Sequence, residues 1–576
     1  MIGKYYEREL SHLRTLAQEF AEVHPALAPM LSGQSTDPDV ERLLEGTAFL
    51  SGLIHEKMDG DFPEIVHGLI QLIFPHYLRP IPSATLIRFT PKRSLRETIA
   101  IRKGTAIDAV ASEETRCTFG TCYDVALSPL SVAAVDFSSG GSGQGLLRLE
   151  LRLEGMGLSA FKSDGIRLHL AGVYPEASKR YWMLFTRLRN LRLVTSDGQI
   201  VPLGRQALKP VGFDASETLI PFPDRSFPGY RILQEYFILP EKFLFFDVTG
   251  LNQWHGRGSG TGFRLEFEFG DLPADLPPMR EEHFQLFVSP ALNLFDHQAD
   301  PIVLDHKHAE YPIRAGGGNP RHYQIYAVNK VTGIVQGTAR EREYQPFELF
   351  NPQMEATPVY ALHHRLSPLD GKAELHISVA YPGGKEEPSL ETLSMEIMCT
   401  NGALPEMLRP GDVRLPTGSS PELAEFTNLR APTAPVQPPL GKNLLWRLLS
   451  HLFLNYLSMA NAENLRSVLK LYIFTETRDR ASVLANLQRV DSIQELEVRA
   501  ADRFVGGHLL RGQEILIRIE PRGFAGVGDL YLFGSVLDVF LGNYAAVNAY
   551  TRLTIEDTLR KERLTWPIRL GDRILL

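Results

Sequence analysis

The stretch NLFDHQADPIVLDHKHAEYPI places Asp296, His297, Asp300, Asp305, His306, His308 and Glu310 within fifteen residues. Imidazoles and carboxylates at this density are the ligand types of a zinc or other metal centre. On a strand, His306 and His308 would share a face, because successive side chains alternate. No His-Glu-x-x-His occurs to set two ligands and a base on one helix, and the same residues suit a solvated polar edge of a sheet. His363 and His364 are adjacent, so a strand would send them to opposite sides, which disfavours a shared metal.

Other chemistry finds less support. A glycosidic bond needs two carboxylates at a defined separation; the neighbouring pairs Glu113/Glu114 and Glu281/Glu282 are expected in solvated turns. No Gly-x-Ser-x-Gly elbow is present. Gly-Lys occurs at 3–4, 371–372, 384–385 and 441–442, each time without the following Ser or Thr that a phosphate loop requires. The GRGSGTG loop at 256–262 precedes a strand pattern, which is wrong for a dinucleotide fingerprint. The cysteines are Cys117, Cys122 and Cys399. The CTFGTC spacing is too wide for a redox CxxC and lacks the second pair of a zinc site, so reduced thiols are expected. Catalytic, cofactor-binding and metal residues are accordingly expected to be none. The alternative is a metal-binding or carbohydrate-processing β-domain enzyme centred on His306/His308.

GYRILQEYFILPEKFLFF at 229–246 poses a separate question, since Arg231, Glu235, Glu241 and Lys242 are threaded among six Tyr and Phe. Leu233 and Phe237 suit a short helical turn stopped by Pro240. LFFDVTG then continues as a strand with apolar residues on both faces, hence covered on both sides. The four charged residues are expected to pair around the turn.

The elements that would position these groups fall into an α+β multidomain chain. Residues 1–80 read as helices. Tyr6, Leu10, Leu13, Ala17 and Phe20 recur at alternating spacings of four and three, and Val40, Leu43, Thr47, Leu50 and Ile54 do the same. That is the seam of a helix packing on other helices, and Tyr6, Leu10, Leu13, Ala17, Phe20, Val40, Leu43, Leu50 and Ile54 are the candidate partner-binding residues. Pro25 weakens the end of the first helix; Asp37, Pro38 and Asp39 suit the start of the second. Pro63 opens a third, EIVHGLIQLIF.

From 81 to 430 the period becomes two. SATLIRFTP, LLRLELRLEG, GIRLHLAG, GFRLEFEFGD and AELHISVAYP predict half-buried antiparallel strands in a large β-rich region, divisible into two subdomains. The proline-rich 431–443 is expected as a stiff linker. Residues 444–576 form a C-terminal α+β domain, with helices in LLWRLLSHLFLNYLS, AENLRSVLKLYIF and DLYLFGSVLDVFLGNYAAV and a strand in EILIRIEP.

Composition sets the outer limits. With 576 residues, 44% hydrophobic and 22% charged, the chain can build several cores. A net charge of −8 argues against nucleic acid as a partner. The N-terminus lacks an apolar signal core, no run is long enough to span a membrane, and no basic amphipathic helix suits a membrane surface. A cytoplasmic protein is expected.

Long motifs then carry a resemblance. YYERELSHLRTLAQEFAEVHPALAPML, DPDVERLLEGTAFLSGLIHEKMDGDFPEIVHGLIQLIFPHYLRPIPS and GYRILQEYFILPEKFLFF are similar to the TssF family of type VI secretion baseplate subunits. The likeness continues through NLFDHQADPIVLDHKHAEYPI, MCTNGALPEML, PPLGKNLLWRLLSHLFLNYLS and LFGSVLDVFLGNYAAVNAYTRL to WPIRLGDR. It departs at Gly402-Ala403, where the family is polar and charged. The resemblance implies a non-enzymatic structural protein without cofactor, akin to the wedge proteins of contractile phage tails. It implies two copies with one TssG, contacts to the second TssF copy, TssK, TssE and the VgrG hub, and a cytoplasmic baseplate docked at the inner-membrane complex.

Overall fold

The computed structural model describes residues 2–26, 38–58, 67–71, 74–140, 143–222, 227–258, 260–337, 341–347, 358–367, 371–381, 390–440, 461–475, 479–505, 508–545 and 549–571. The fold is α+β, with N-terminal helices followed by many antiparallel strands. Two units separate: Met1–Leu78 with Pro439–Leu449, and Arg79–Pro438 with Ser450–Leu576.

In the first unit, α1 (Ile2–Val23) ends before Pro25, as that proline requires. α2 (Pro38–Met58) opens on a proline that has no N–H to lose, with Asp39 and Glu41 at the positive end of its dipole. Asp37 lies outside the described residues, as do 64–66 and 72–73 of the third expected helix, whose middle at 67–71 is helical. Arg14 of α1 pairs with Glu41 near the start of α2, while Glu9 meets His55 near its end at 3.0 Å. The two helices are therefore antiparallel. Ala48 and Gly52 of α2 are buried; a Cβ at Gly52 would stand 3.1 Å from the Tyr6 nitrogen. Small residues let the backbones approach.

In the second unit, the five expected strands of the middle region form as Ala84–Pro91, Gly145–Leu153, Gly165–Leu170, Gly262–Phe269 and Ala373–Ala380. They enter sheets of six, five, four and eight strands. Among the described residues of the middle region, pairing is antiparallel apart from a short parallel contact of Glu341–Pro346 with Val359–Leu366. At Phe287 the chain passes from the strand Phe284–Leu286 of the four-stranded sheet to Val288–Leu292 of the six-stranded one. The residue takes φ 56°, a left-handed corner rare for an aromatic.

The proline-rich stretch begins as part of this sheet structure. Leu429 and Thr433 donate to the carbonyls of Leu86 and Ala84, and Ile81 and Val436 exchange hydrogen bonds at 2.8 and 2.9 Å. Residues 429–436 thus lie along the first strand of the six-stranded sheet. The helix expected in LLWRLLSHLFLNYLS and the remainder of 441–443 lie outside the described residues.

Three further helices carry the junctions: α3 (Tyr174–Arg187), which periodicity did not bring out, α4 (Pro228–Ile238), and α5 (Ala462–Leu471). α6 (Arg480–Asp491) was likewise not anticipated. α7 (Val527–Gly542) is the expected DLYLFGSVLDVFLG helix and is buried nearly all round. A helix apolar on every side must be covered on every side, and α7 packs on α3, α4 and the strand Ala549–Asp557. It is the crossover between His508–Ile519 and Ala549–Asp557, which pair in parallel. The middle and C-terminal regions therefore belong to one compact unit.

Candidate functional site

The helical hairpin sorts the candidate partner-binding residues into two groups. Tyr6, Leu10, Leu13 and Ala17 are half-buried, and so is Val40. The α2 stripe faces away from α1: Leu43 is 72% exposed, Leu50 62% and Ile54 60%. Phe49 and Leu53 extend this face, and Phe20, Leu16 and Val23 are exposed on α1. A surface helix normally turns its large apolar residues inward. Here Ala48 and Gly52 face α1 and the large ones face out. Sequence periodicity located the stripe but could not say which partner it faced; the small residues one-half turn away were the available signal.

The charged residues of GYRILQEYFILPEKFLFF form a buried network. α4 begins with Pro228 in its first turn and ends at Leu239-Pro240. The Lys242 ammonium donates to Glu235 and, at 2.6 Å, to the Gly212 carbonyl. The other Glu235 oxygen accepts the backbone N–H groups of Leu219 and Ile220 at 2.7 and 3.3 Å. Arg231 lies 3.5 Å from the same carboxylate and donates to the Asp214 carbonyl, while Glu241 pairs with Arg430. Burial pushes the Lys242 amine down, and Glu235 opposes that shift. A Lys–Glu pair is acid–base machinery when it opens to a substrate. This one is fully buried, and its donors and acceptors are spent on the 212–220 loop. Cavities of about 260 Å³ lie elsewhere, one lined by Asp124, Phe161, Arg167 and Asp247 and one by Arg522, Leu530 and Arg560. Arg231, Glu235 and Lys242 brace the turn as expected, whereas Glu241 pairs with the distant Arg430.

A second buried centre, absent from the sequence reading, joins four helices. Asp529 of α7 accepts the hydroxyls of Tyr174 (α3) and Tyr236 (α4) at 2.8 and 3.4 Å. It also takes the Arg489 Nε (α6) at 3.0 Å and the Ala525 N–H at 3.0 Å. Burial and the neighbouring Asp529 raise Tyr174 well above the usual phenol range, so the hydroxyl stays a donor.

The histidine-rich segment resolves into separate small networks. The strand Ile302–Leu304 ends before Asp305, and His306 adopts φ 55° in a turn, so His306 and His308 do not share a strand face. His297 bonds the Gly316 carbonyl at 2.7 Å and stacks on Tyr323. Asp305 accepts the Tyr311 hydroxyl at 2.7 Å, and Glu310 holds Arg365 in a two-point ion pair. Asp296 accepts from Asn329. Among the described residues no three His, Cys, Asp or Glu side chains come together in a metal-holding group. Glu113 and Glu114 sit in a tight turn with left-handed backbone, and Glu281 and Glu282 in a 3-10 turn. The three cysteines are buried and free, and burial pushes each thiol up to about 12. No helix among the described residues is long and apolar enough to cross a membrane.

The chain matches the family described as "Type VI secretion system, TssF" over residues 1–573. It is 29% identical to the type VI secretion system component TssF1 of Pseudomonas aeruginosa, covering 99% of this chain and 98% of that protein. Its structure is similar to a chain of a TssK-TssF-TssG baseplate subcomplex determined by cryo-electron microscopy. That likeness has 29% identity and TM-score 0.74, and covers 92% of this chain and 99% of the other. A chain of another type VI secretion baseplate complex matches over the whole of both chains, with 25% identity and TM-score 0.62. The protein belongs to the TssF family of the type VI secretion system.

Proposed function

We propose that the chain is a structural subunit of the type VI secretion baseplate, a cytoplasmic platform for sheath and tube assembly, and that its work is mechanical rather than catalytic. The end-to-end likeness to chains of baseplate complexes carries this reading. The buried Glu235–Lys242 and Asp529–Arg489 pairs support it, because charges sealed inside braces serve rigidity rather than turnover. Its direct neighbours are TssG and TssK, with two copies of this chain per TssG; TssE and the VgrG hub complete the assembly, which docks at the inner-membrane complex.

The face that meets partner helices is the outward stripe of α2, Leu43, Leu50 and Ile54, with Phe20 of α1; Tyr6, Leu10, Leu13, Ala17 and Val40 position it from beneath. Amphipathic helices in a partner bury such a stripe by side-chain interdigitation. The test is recovery of the tagged full chain with TssG and TssK from cells producing all three. Co-purification in fixed ratio is expected, and recovery of the chain alone would overturn the reading.

A further inference from the structure

The five-stranded sheet of the middle region carries a row of charges that alternate in sign from strand to strand. Its order is Ile200–Pro202, Leu188–Thr195, Gly262–Phe269, Gly145–Leu153 and Leu130–Ser139. The register sets Arg192 opposite Glu266, Glu266 opposite Arg148, and Arg148 opposite Asp136. The side chains follow it. Arg192 meets Glu266 at 2.6 Å, Arg148 stands 3.7 Å from Glu266, and Arg148 meets Asp136 at 2.8 Å. Opposite charges facing each other across strands stabilise a sheet, and here each strand answers the charge of its neighbour.

The two ends of the row differ. Beyond Arg192 the sheet ends on Pro202, in a strand of three residues; shortness and proline are the usual protections of an edge. At the other end the row stops on Asp136, 63% exposed, in a ten-residue strand without proline, lysine or arginine. Among the described residues Leu130–Ser139 pairs with Gly145–Leu153 and with no other strand. Alternation turns Val135 and Phe137 to the inner face. Both are only half-buried, although Leu149 and Leu147 opposite them are sealed. A strand laid along this edge would gain backbone hydrogen bonds and cover Val135 and Phe137 with its own apolar residues. It would continue the alternation with a cation opposite Asp136. A second copy of the same strand has no cation to offer, and paired about Asp136 it would set carboxylate against carboxylate.

We propose that the free edge of Leu130–Ser139 receives an extended segment of a partner protein that reads apolar–basic–apolar, with the basic residue opposite Asp136. The pattern is the same in both directions, so it fits an antiparallel or a parallel strand. The probe is the fluorescein-labelled nonapeptide acetyl-Ser-Val-Thr-Val-Arg-Val-Thr-Val-Ser-amide, titrated against the full chain by fluorescence anisotropy. It should bind about tenfold more tightly than the same peptide with a central glutamate, because an attractive facing pair is replaced by a repulsive one. Asp136→Arg should reverse that preference and Asp136→Asn should remove it. Hydrogen exchange at 131–139 should slow when the arginine peptide is bound. Asp136 is exposed at a sheet edge, so both variants are expected to fold; should Asp136→Arg fail to, the loss of preference in Asp136→Asn carries the test. Absence of binding, equal binding of the two peptides, or a preference unchanged in Asp136→Asn overturns the contact. The assembly reading is tested separately, by recovery with TssG and TssK, and stands without this edge.

Discussion

Glu235 and Lys242 meet as a fully buried ion pair, seven residues apart in sequence and on opposite sides of Pro240. The helix α4 supplies the carboxylate, the following turn supplies the ammonium, and both hold the 212–220 loop through backbone groups. Removing one partner leaves a charge in an apolar interior, which costs about 3–5 kcal/mol, whereas removing both together often costs less. Lys242→Met is expected to lower the urea midpoint strongly. Glu235→Gln with Lys242→Met should recover part of the loss, since the glutamine carbonyl can still accept from Leu219.

Asp529→Ala removes the common acceptor of Tyr174, Tyr236, Arg489 and the Ala525 N–H. It leaves the Arg489 guanidinium half-buried without its carboxylate and is expected to cost about 3–5 kcal/mol. Hydrogen exchange should rise first in α6 and α7, and a protease should cut there before it cuts the middle sheets. Exchange that rises evenly through the chain would show that this residue is not the junction.

His169 packs on Phe245 with ring centres 4.4 Å apart, and burial pushes it down to about 3 from an ordinary value near 6.5. The folded state therefore keeps it neutral while the unfolded chain takes a proton below about pH 6.5. Its contribution is whole above that pH and is lost as pH falls toward 3, with a slope of at most about 1.4 kcal/mol per pH unit. Melting temperature between pH 7.5 and 5 should fall less steeply in His169→Leu than in the natural chain.

The two faces of α2 should respond in opposite ways. Leu50→Asp with Ile54→Asp alters only exposed positions, so stability should change by no more than about 0.5 kcal/mol each. Recovery with TssG should nevertheless fail. Gly52→Leu places a side chain against the Tyr6 backbone and should cost about 1–3 kcal/mol by overpacking. Circular dichroism melting together with co-purification separates the two effects.

Period-two alternation brought out five strands between Ala84 and Ala380, because one wet and one dry face impose it locally. Prolines fixed where α2 starts and where α4 stops, because the ring constrains φ and removes a donor wherever it stands. Long motifs were enough to place the family. The direction of the α2 stripe was decided by the tertiary structure, since an apolar spacing says that a face will be covered but not by what; Gly52 let α1 take the other side. The Asp529 junction was equally out of reach. Its partners lie 40, 293 and 355 residues away, and only folding brings such distant donors to one carboxylate.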